Sequence, residues 1–455
     1  MPETQADPHQ QAVDALRAQY ARLPAGAPVR LAKRTSNLFR FRDPAPVAGL
    51  DVSGFGGVVR VDPDKRTCDV QGMVTYERLV DATLPHGLMP LVVPQLKTIT
   101  IGGAVAGLGI ESTSYRSGLP HESVLELEVL TGDGRVVVAR PDNEHAELFH
   151  TFPNSYGTLG YTLRLLIELE PVRPYVRLHH RRFDSAAECA AAMAQACADP
   201  DVHFVDGTVF GRDEQYLTLG TFTDSLPATA PETSDYTGMD VYYRSLQRRT
   251  EDHLTVRDYL WRWDTDWFWC SRAFGVQQPR VRRFWPRRYR RSDVYRRLVA
   301  LDRRYAVSDR ARRILGHPPE EAVVQDVEIP VDRLAEFLEF FHRDIGITPI
   351  WLCPLKLRAD HAWPLYPLQP GELYVNVGFW SSVPLRDGQP DGHHNLLVED
   401  AVASLGGHKS LYSTVHYTPE EFWQRYNGAA YDAVKGTYDP DGRLPSLYDK
   451  CVRMR

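Results

Sequence analysis

The chain has 455 residues, 43% hydrophobic and 25% charged, with 53 basic and 59 acidic side chains and a formal net charge of −6. This length exceeds what one hydrophobic core supports, so two domains, or three lobes, are expected. The slightly acidic balance gives no global affinity for nucleic acid. The six cysteines, at 68, 189, 197, 270, 353 and 451, form no CxxC pair and no disulfide framework, which favours a reducing compartment.

The first twenty residues are polar and lack an apolar stretch, so neither a secretion signal nor a spanning anchor is expected there. No later run reaches 18 clean apolar residues. Residues 8–22 have the pattern of a short amphipathic helix, closed by Pro24 and Gly26. A strand is predicted at 27–32, then a polar turn, KRTSN, at 33–37. Residues 56–72 predict a hairpin around Asp62-Pro63-Asp64, 75–87 a helix, and 90–96 an extended segment. The glycine-rich, almost uncharged stretch TIGGAVAGLGIESTSYRSG follows at 100–118. SVLELEVLTGDGRVVVA, at 123–139, predicts a hairpin turning at Gly132-Asp133-Gly134. Residues 157–171 open on glycines and end in a β-like alternation. The composition then changes. A helix is predicted at 184–200, a hairpin at 203–222, a strand at 323–329, an amphipathic helix at 330–344, and strands at 350–357 and 373–380. This mixture predicts an α+β chain whose second domain, from about residue 173 to 455, is not a repeat of the first, residues 1–172.

The glycine stretch invites a nucleotide reading, but its spacing excludes the two commonest ones. A dinucleotide fingerprint needs GxGxxG between a strand and a helix. Here Gly107-Leu108-Gly109 is followed by Ile110, Glu111 and Ser112. The GK[ST] of a P-loop is absent as well. The glycines could simply permit tight turns. With Ser112, Thr113 and Ser114 they could also form a nest of backbone N–H groups and hydroxyls that holds a pyrophosphate without charged side chains.

TIGGAVAGLGIES followed by LELEVLTGDG resembles the FAD-binding domain of vanillyl-alcohol-oxidase (PCMH-type) flavoproteins. GTLG at 157–160 resembles that family's second flavin-contacting loop, and KRTSN stands where its first pyrophosphate loop lies. The closer resemblance is to the delta(24)-sterol reductase group. It rests on GLGIESTSYRSGL (107–119), VVQDVEIP (323–330), IWLCP (350–354), GGHKSLY (406–412), PEEFW (419–423) and LYDK (447–450). The chain is also similar to bacterial flavoproteins that reduce a methylene-branched fatty acyl chain. The resemblance implies extended FAD, with Arg34, Thr35, Ser36 and Asn37 on one side of the pyrophosphate. Ile101, Gly102 and Gly103 would lie on the other, near Gly107, Gly109 and Ser112, with Gly157, Thr158, Leu159 and Gly160 toward the flavin or adenine end. Some relatives attach FAD through a histidine near the first loop. None stands there in this chain, so noncovalent FAD is expected. A second, cap domain would hold the substrate, and the C-terminal segment would return to the flavin.

Flavin supplies hydride from its reduced N5, and the protein supplies placement and electrostatics. An isolated alkene has no carbonyl to absorb negative charge. Its reduction therefore calls for protonation of one carbon and hydride delivery to the more substituted one, from a proton donor beside an apolar pocket. Aromatic faces would tolerate the positive character that builds. The candidate catalytic residues are Glu111, Tyr115, His408, Lys409 and Tyr412. Each has a structural alternative: Glu111 as a cofactor-side carboxylate, Tyr115 as a packing residue, Lys409 as a surface charge or a partner for negative flavin. His393-His394 lacks the spacing of a closed metal site and is expected in a polar loop, and no metal is expected.

The oddest region is 258–298, with four tryptophans between 261 and 269 and nine arginines between 280 and 297. It reads either as a charged surface helix with a domain-packing aromatic cluster or as a peripheral contact with an anionic membrane. Nucleic acid is not expected as a partner. The expected function is an FAD-dependent oxidoreductase reducing an unactivated C=C bond in a lipid, with NADPH as the expected electron donor. The expected location is cytoplasmic, at the inner membrane face. High Arg, Ala and Pro content favours a GC-rich bacterial source, and so a 10-methylene acyl chain over a delta-24 sterol side chain. An FAD-dependent oxidase or dehydrogenase of an alcohol or sugar lipid, and a noncatalytic flavin- and lipid-binding protein, are the alternatives.

Overall fold

The computed structural model describes residues 7–33, 49–228, 232–305, 310, 314–316, 318–413 and 415–452. Two antiparallel sheets organise them. In the first, β1 (Val58–Asp62) and β2 (Thr67–Gln71) form one hairpin, β3 (Leu88–Pro90) is a short edge piece, β4 (Val124–Leu130) and β5 (Val136–Ala139) form another hairpin, and β6 (Tyr161–Pro171) runs between them. The order is β1-β2-β6-β4-β5, with β3 also on β6. The alternation of β6 explains its central place. Leu163, Leu165, Ile167 and Leu169 are buried on one face. From the other, Arg164 reaches Asp69 and Glu126, each at 2.9 Å.

The glycine stretch contains more helix than its composition suggests. Thr100 caps the helix Ile101–Gly107 by accepting from Gly103 N. A Cβ on Gly102 would stand 2.7 Å from the carbonyl oxygen of Gly72, so glycine is what lets this helix lie against the end of β2.

The second sheet has eight strands: β7 (Tyr175–Phe183), β8 (Phe204–Gly211), β9 (Glu214–Thr223), β10 (Glu251–Thr255), β11 (Glu320–Pro330), β12 (Ile350–Leu355), β13 (Tyr374–Pro384) and β14 (His408–Lys409). Their order is β10-β7-β9-β8-β12-β13-β11-β14. The helices Ala186–Cys197, Leu334–Asp344 and His393–Ser404 cover one face, packing Met193, Phe337 and Val398 against Val205, Val327, Leu352 and Phe379. The other face carries Phe204, Trp351, Cys353 and Tyr374 into the core shared with the first sheet. The C-terminal helices return to the first domain. Lys435 Nζ donates to the Thr158 carbonyl at 2.9 Å, and Arg443 Nε to that of Ala27 at 3.0 Å.

Some expectations fail for identifiable reasons. The strand expected at 27–32 is a single bridge, Leu31 to Leu50. Only Pro90 of the segment expected to be extended at 90–96 belongs to a strand. β7 was hidden because its outward positions are Arg177, His179 and Arg181 while Val176, Leu178 and His180 face inward. His393 and His394 start a helix rather than a loop. Gly392 precedes it at φ 93°, and Glu321 holds the His394 ring at 2.9 Å. The four tryptophans at 261, 263, 267 and 269 are all buried, so they pack domains together and do not face solvent.

Within that aromatic segment, the fully buried Arg262 joins three parts of the chain. Its Nη2 donates to Asp206 of β8 at 2.9 Å and to Glu111 of the glycine stretch at 3.2 Å. Its guanidinium lies 3.9 Å from the Tyr259 ring centroid. Trp263 and Trp351 also donate to Asp206, at 3.2 and 3.4 Å. Burial raises the Glu111 pKa, and the Arg262 charge opposes that rise. Arg262→Met leaves two buried carboxylates unpaired and is expected to lower stability by about 3–5 kcal/mol, read as a fall in the urea midpoint. Adding Glu111→Gln and Asp206→Asn should recover most of that loss.

Candidate functional site

The candidate cofactor wall is the glycine stretch together with the loop before β6. The first-turn amides of the helix Ile101–Gly107 are already paired: Ile101 to Val74 O at 2.9 Å, Gly102 to Gly72 O at 3.0 Å, and Gly103 to Thr100 Oγ1 at 3.2 Å. These amides are therefore not open phosphate donors. The segment offers instead a close backbone approach, since Gly103 is exposed and Leu108, Gly109 and Ile110 are half-buried. Ser112 faces inward, its hydroxyl 2.8 Å from Tyr259 OH.

The opposing loop is docked by Tyr156 N donating to Ala106 O at 2.7 Å. Asn154 and Tyr156 hold φ of 63° and 51°, a left-handed conformation that non-glycine residues rarely adopt and that gathers at functional sites. Gly107 leaves room for the Tyr156 ring, which a Cβ would approach to 3.1 Å. Thr158 bonds back to Ser155 O at 2.7 Å, Leu159 is core, and Gly157 and Gly160 sit at φ 76° and 144°. Asn154 Oδ1, Ser155 Oγ and Thr162 Oγ1 are buried without a hydrogen-bond partner among the described residues. Buried polar atoms rarely stay unsatisfied. An extended dinucleotide rich in donors and acceptors fits this lining. Arg34, Thr35, Ser36 and Asn37 lie outside the described residues.

The second half of the site is the inner face of the second sheet. Strand alternation puts Asp326 and Glu328 of β11 on the same side. Asp326 stands opposite Gly378, and Glu328 lies between Asn376 of β13 and His408 of β14. A Cβ on Gly378 would come within 2.6 Å of Asp326 Oδ1, so the glycine keeps space for the carboxyl. Glu328 accepts from Ser410 Oγ at 3.3 Å, and Trp380 Nε1 donates to Tyr412 OH at 2.9 Å. Asp326, Trp380, Tyr412 and Tyr156 lie deep in the molecule yet retain accessible surface, as groups lining a cleft do. Tyr156 is near enough to Tyr412 to raise its pKa, which brings the loop before β6 close to the acid pair.

Burial pushes Asp326 up to about 7, against the pull of nearby Asn376 and Tyr412. Burial likewise pushes Glu328 up to about 8, with Tyr366 and Ser410 drawing it down and Asp326 adding to the rise. Asn376 and Tyr366 bear on these charges by proximity, since neither Asn376 amide atom nor the Tyr366 hydroxyl reaches ordinary hydrogen-bond geometry. The cleft thus holds carboxylic acids that keep protons near neutral pH, among aromatic rings.

Of the five catalytic candidates, the structure brings Tyr412 and His408 to this acid pair. His408 pairs across from Glu328, its ring 5.9 Å from that of Tyr366, and opens onto a pocket lined by Pro330, Gln369, Tyr374 and Leu405; burial pushes its pKa down to about 4, leaving a neutral imidazole. The other three lie elsewhere. Lys409, one residue on, points to the opposite face and meets Glu399 at 2.6 Å. Tyr115 donates to Val202 O at 2.5 Å and packs in the helix-covered core. Glu111 belongs to the Arg262 cluster. Sequence reading missed Asp326, Glu328 and Asn376. Their signal was present in VVQDVEIP, where an otherwise apolar strand puts two acids two residues apart.

Residues 8–140 match the family model described as an FAD binding domain. The delta(24)-sterol reductase of Homo sapiens is 26% identical over 410 residues, spanning 87% of this chain and 76% of its own length. That of Arabidopsis thaliana is 26% identical over 447 residues, spanning 89% and 77%. Cytokinin dehydrogenase 5 of Arabidopsis thaliana is 34% identical over 117 residues, spanning 26% of this chain and 22% of its own. The chain thus carries an α+β FAD-binding domain with a separate α+β domain, in the two-domain architecture of PCMH/VAO-type flavoproteins. Its homology to delta(24)-sterol reductases is broad and of low identity, and it supports an FAD-dependent oxidoreductase at family level.

Gly107→Val drives a side chain into the Tyr156 ring. It is expected to weaken FAD retention about tenfold, or ~1.4 kcal/mol, with far-UV circular dichroism unchanged and flavin absorbance after desalting as the measure. A pH effect follows from the raised carboxyls. The folded state keeps protons that the unfolded chain releases from about pH 4 upward, so stability falls as pH rises to about 8. Glu328→Gln removes one of these groups. It should be more thermostable than the parent at pH 8–9 and equal to it near pH 4.

Proposed function

We propose that this protein is an FAD-dependent reductase of an isolated C=C bond in a lipid. The observation that supports this best is Asp326, a raised acid with accessible surface among Tyr156, Trp380 and Tyr412, with the buried acid Glu328 two residues along the same strand. The delta(24)-sterol reductase relatives support the lipid class. Bound FAD, once reduced, supplies hydride, and NADPH is the proposed source of its electrons. Asp326 holds the proton and delivers it to the less substituted alkene carbon. Positive character then develops at the more substituted carbon, beside Trp380 and Tyr412. Asn376 and Tyr412 settle the carboxylate that remains. Glu328 keeps its own proton to higher pH, so the charge left on Asp326 after proton delivery has no second carboxylate charge beside it.

In this reading a methylene-branched fatty acyl chain is the first substrate candidate and a sterol side chain the second. Arg34 to Asn37, Gly103, Gly107, Gly109, Gly157 and Gly160 are proposed to line FAD, with Ile101, Gly102, Ser112, Thr158 and Leu159 supporting that wall from behind, and with the division between domains near residue 172. Tyr412 and His408 are proposed as positioning groups. Glu111, Tyr115 and Lys409 take structural roles through their partners Arg262, Val202 and Glu399. The neutral imidazole of His408 favours a second reading, oxidation of an alcohol lipid with His408 as base.

Anaerobic mixing of the reduced FAD-loaded protein with a membrane-lipid extract tests the first reading. Reoxidation of the flavin should accompany a lipid that gains two hydrogens by mass spectrometry. Asp326→Asn should keep its flavin and slow that reoxidation about 10²–10⁴-fold. Flavin reduction by an alcohol lipid alone, with no hydrogenated lipid, would establish the second reading instead.

A further inference from the structure

The basic segment ends in a projecting knuckle at residues 279–290. Two of its arginines face inward and clamp it. Arg282 is fully buried and donates to Asp266 Oδ1 at 2.8 Å and to the carbonyls of Gly238, Tyr236 and Asp240 at 2.8–2.9 Å. Arg290 is buried too and donates to the carbonyls of Thr237, Gly238, Arg282 and Trp285. Between the clamps the chain turns outward. Phe284 is 84% exposed, Tyr289 42% and Val281 37%. Arg280, Arg283 and Arg288 are exposed beside them and meet no acidic side chain among the described residues, whereas Arg287 is held by Asp235 at 3.0 Å. The knuckle thus presents Phe284, Val281 and Tyr289 side by side with guanidiniums that meet no carboxylate among the described residues, Arg288 stacking on Tyr289 at 4.9 Å, and holds them in place with two buried clamps.

We propose that this knuckle docks the protein on an anionic lipid bilayer. Phe284 and Val281 enter the acyl boundary, Tyr289 sits at headgroup level, and Arg280, Arg283 and Arg288 rest on lipid phosphates. The charge of the exposed set argues for a polyanionic surface. The choice of a bilayer over another polyanion rests on the lipid-substrate reading. The contact is peripheral, and among the described residues no helix is long and apolar enough to cross a membrane.

The test is co-sedimentation of the FAD-loaded protein with vesicles of phosphatidylcholine alone or mixed with phosphatidylglycerol. The parent should bind the mixed vesicles, and added salt should weaken the binding. Phe284→Ser and the pair Arg283→Glu/Arg288→Glu should each weaken it about tenfold or more, with the flavin-to-protein absorbance ratio unchanged as the check on folding. Equal binding by parent and variants, no binding by the parent, or tighter binding of single-stranded DNA than of mixed vesicles would each overturn the proposal. Vesicle binding without any alkene reduction would support the docking surface and count against the reductase reading alone. Reduction of detergent-dispersed lipid by a parent that ignores vesicles would do the reverse.

Discussion

The structure depends on one buried cation. Arg262 comes from the aromatic segment, Glu111 from the FAD-binding domain and Asp206 from the second sheet. None of these charges could be buried alone, because an unpaired ion in the interior is too poorly solvated. Each of the three buried charges is therefore sustained by the others. The tryptophans at 263 and 351 complete the arrangement by donating to the same Asp206 oxygen. The result is a buried junction between the glycine stretch and the second sheet.

That junction allows the cleft to hold groups that work against stability. Glu328 leaves Oε2 without a partner among the described residues, and burial pushes both Asp326 and Glu328 up. Asn154 and Tyr156 keep an unfavourable backbone conformation across from them. Strain and perturbed acidity on facing walls are what a preorganised site requires, and a firmly tied frame is what sustains them. The same logic separates the neighbours His408 and Lys409. In a strand they must face opposite ways, so one sits across from Glu328 and the other pairs with Glu399 behind the sheet.

Much of the fold was legible because periodicity reports burial directly. The hairpins at 58–71, 124–139 and 204–223, the strands β11 to β13, and the helices at 8–21 and 186–197 all carry clear patterns. β7 and the helix His393–Ser404 were not legible, since basic or histidine-rich stretches read as polar until the partners that bury them are known. The site was only partly legible. Tyr412 and His408 lie beside the acid pair while Glu111, Tyr115 and Lys409 lie elsewhere; all five stood out by residue type, and type does not reveal which neighbours a residue meets.

The amino-acid sequence by itself determined the α+β class, the change of composition near residue 172, and the glycines that permit close backbone packing. It also determined the alternation that places two acids on one side of β11. These are local properties, set by side-chain size, polarity and spacing. Only the tertiary structure decided which charges meet and which face the cleft. Pairing of β14 with β11, the closing of Arg262 on Glu111 and Asp206, and the inward turn of the four tryptophans join residues remote in sequence. The acidity of Asp326 and the exposure of Phe284 follow from what surrounds them, and that environment exists only once the sheets and helices have packed.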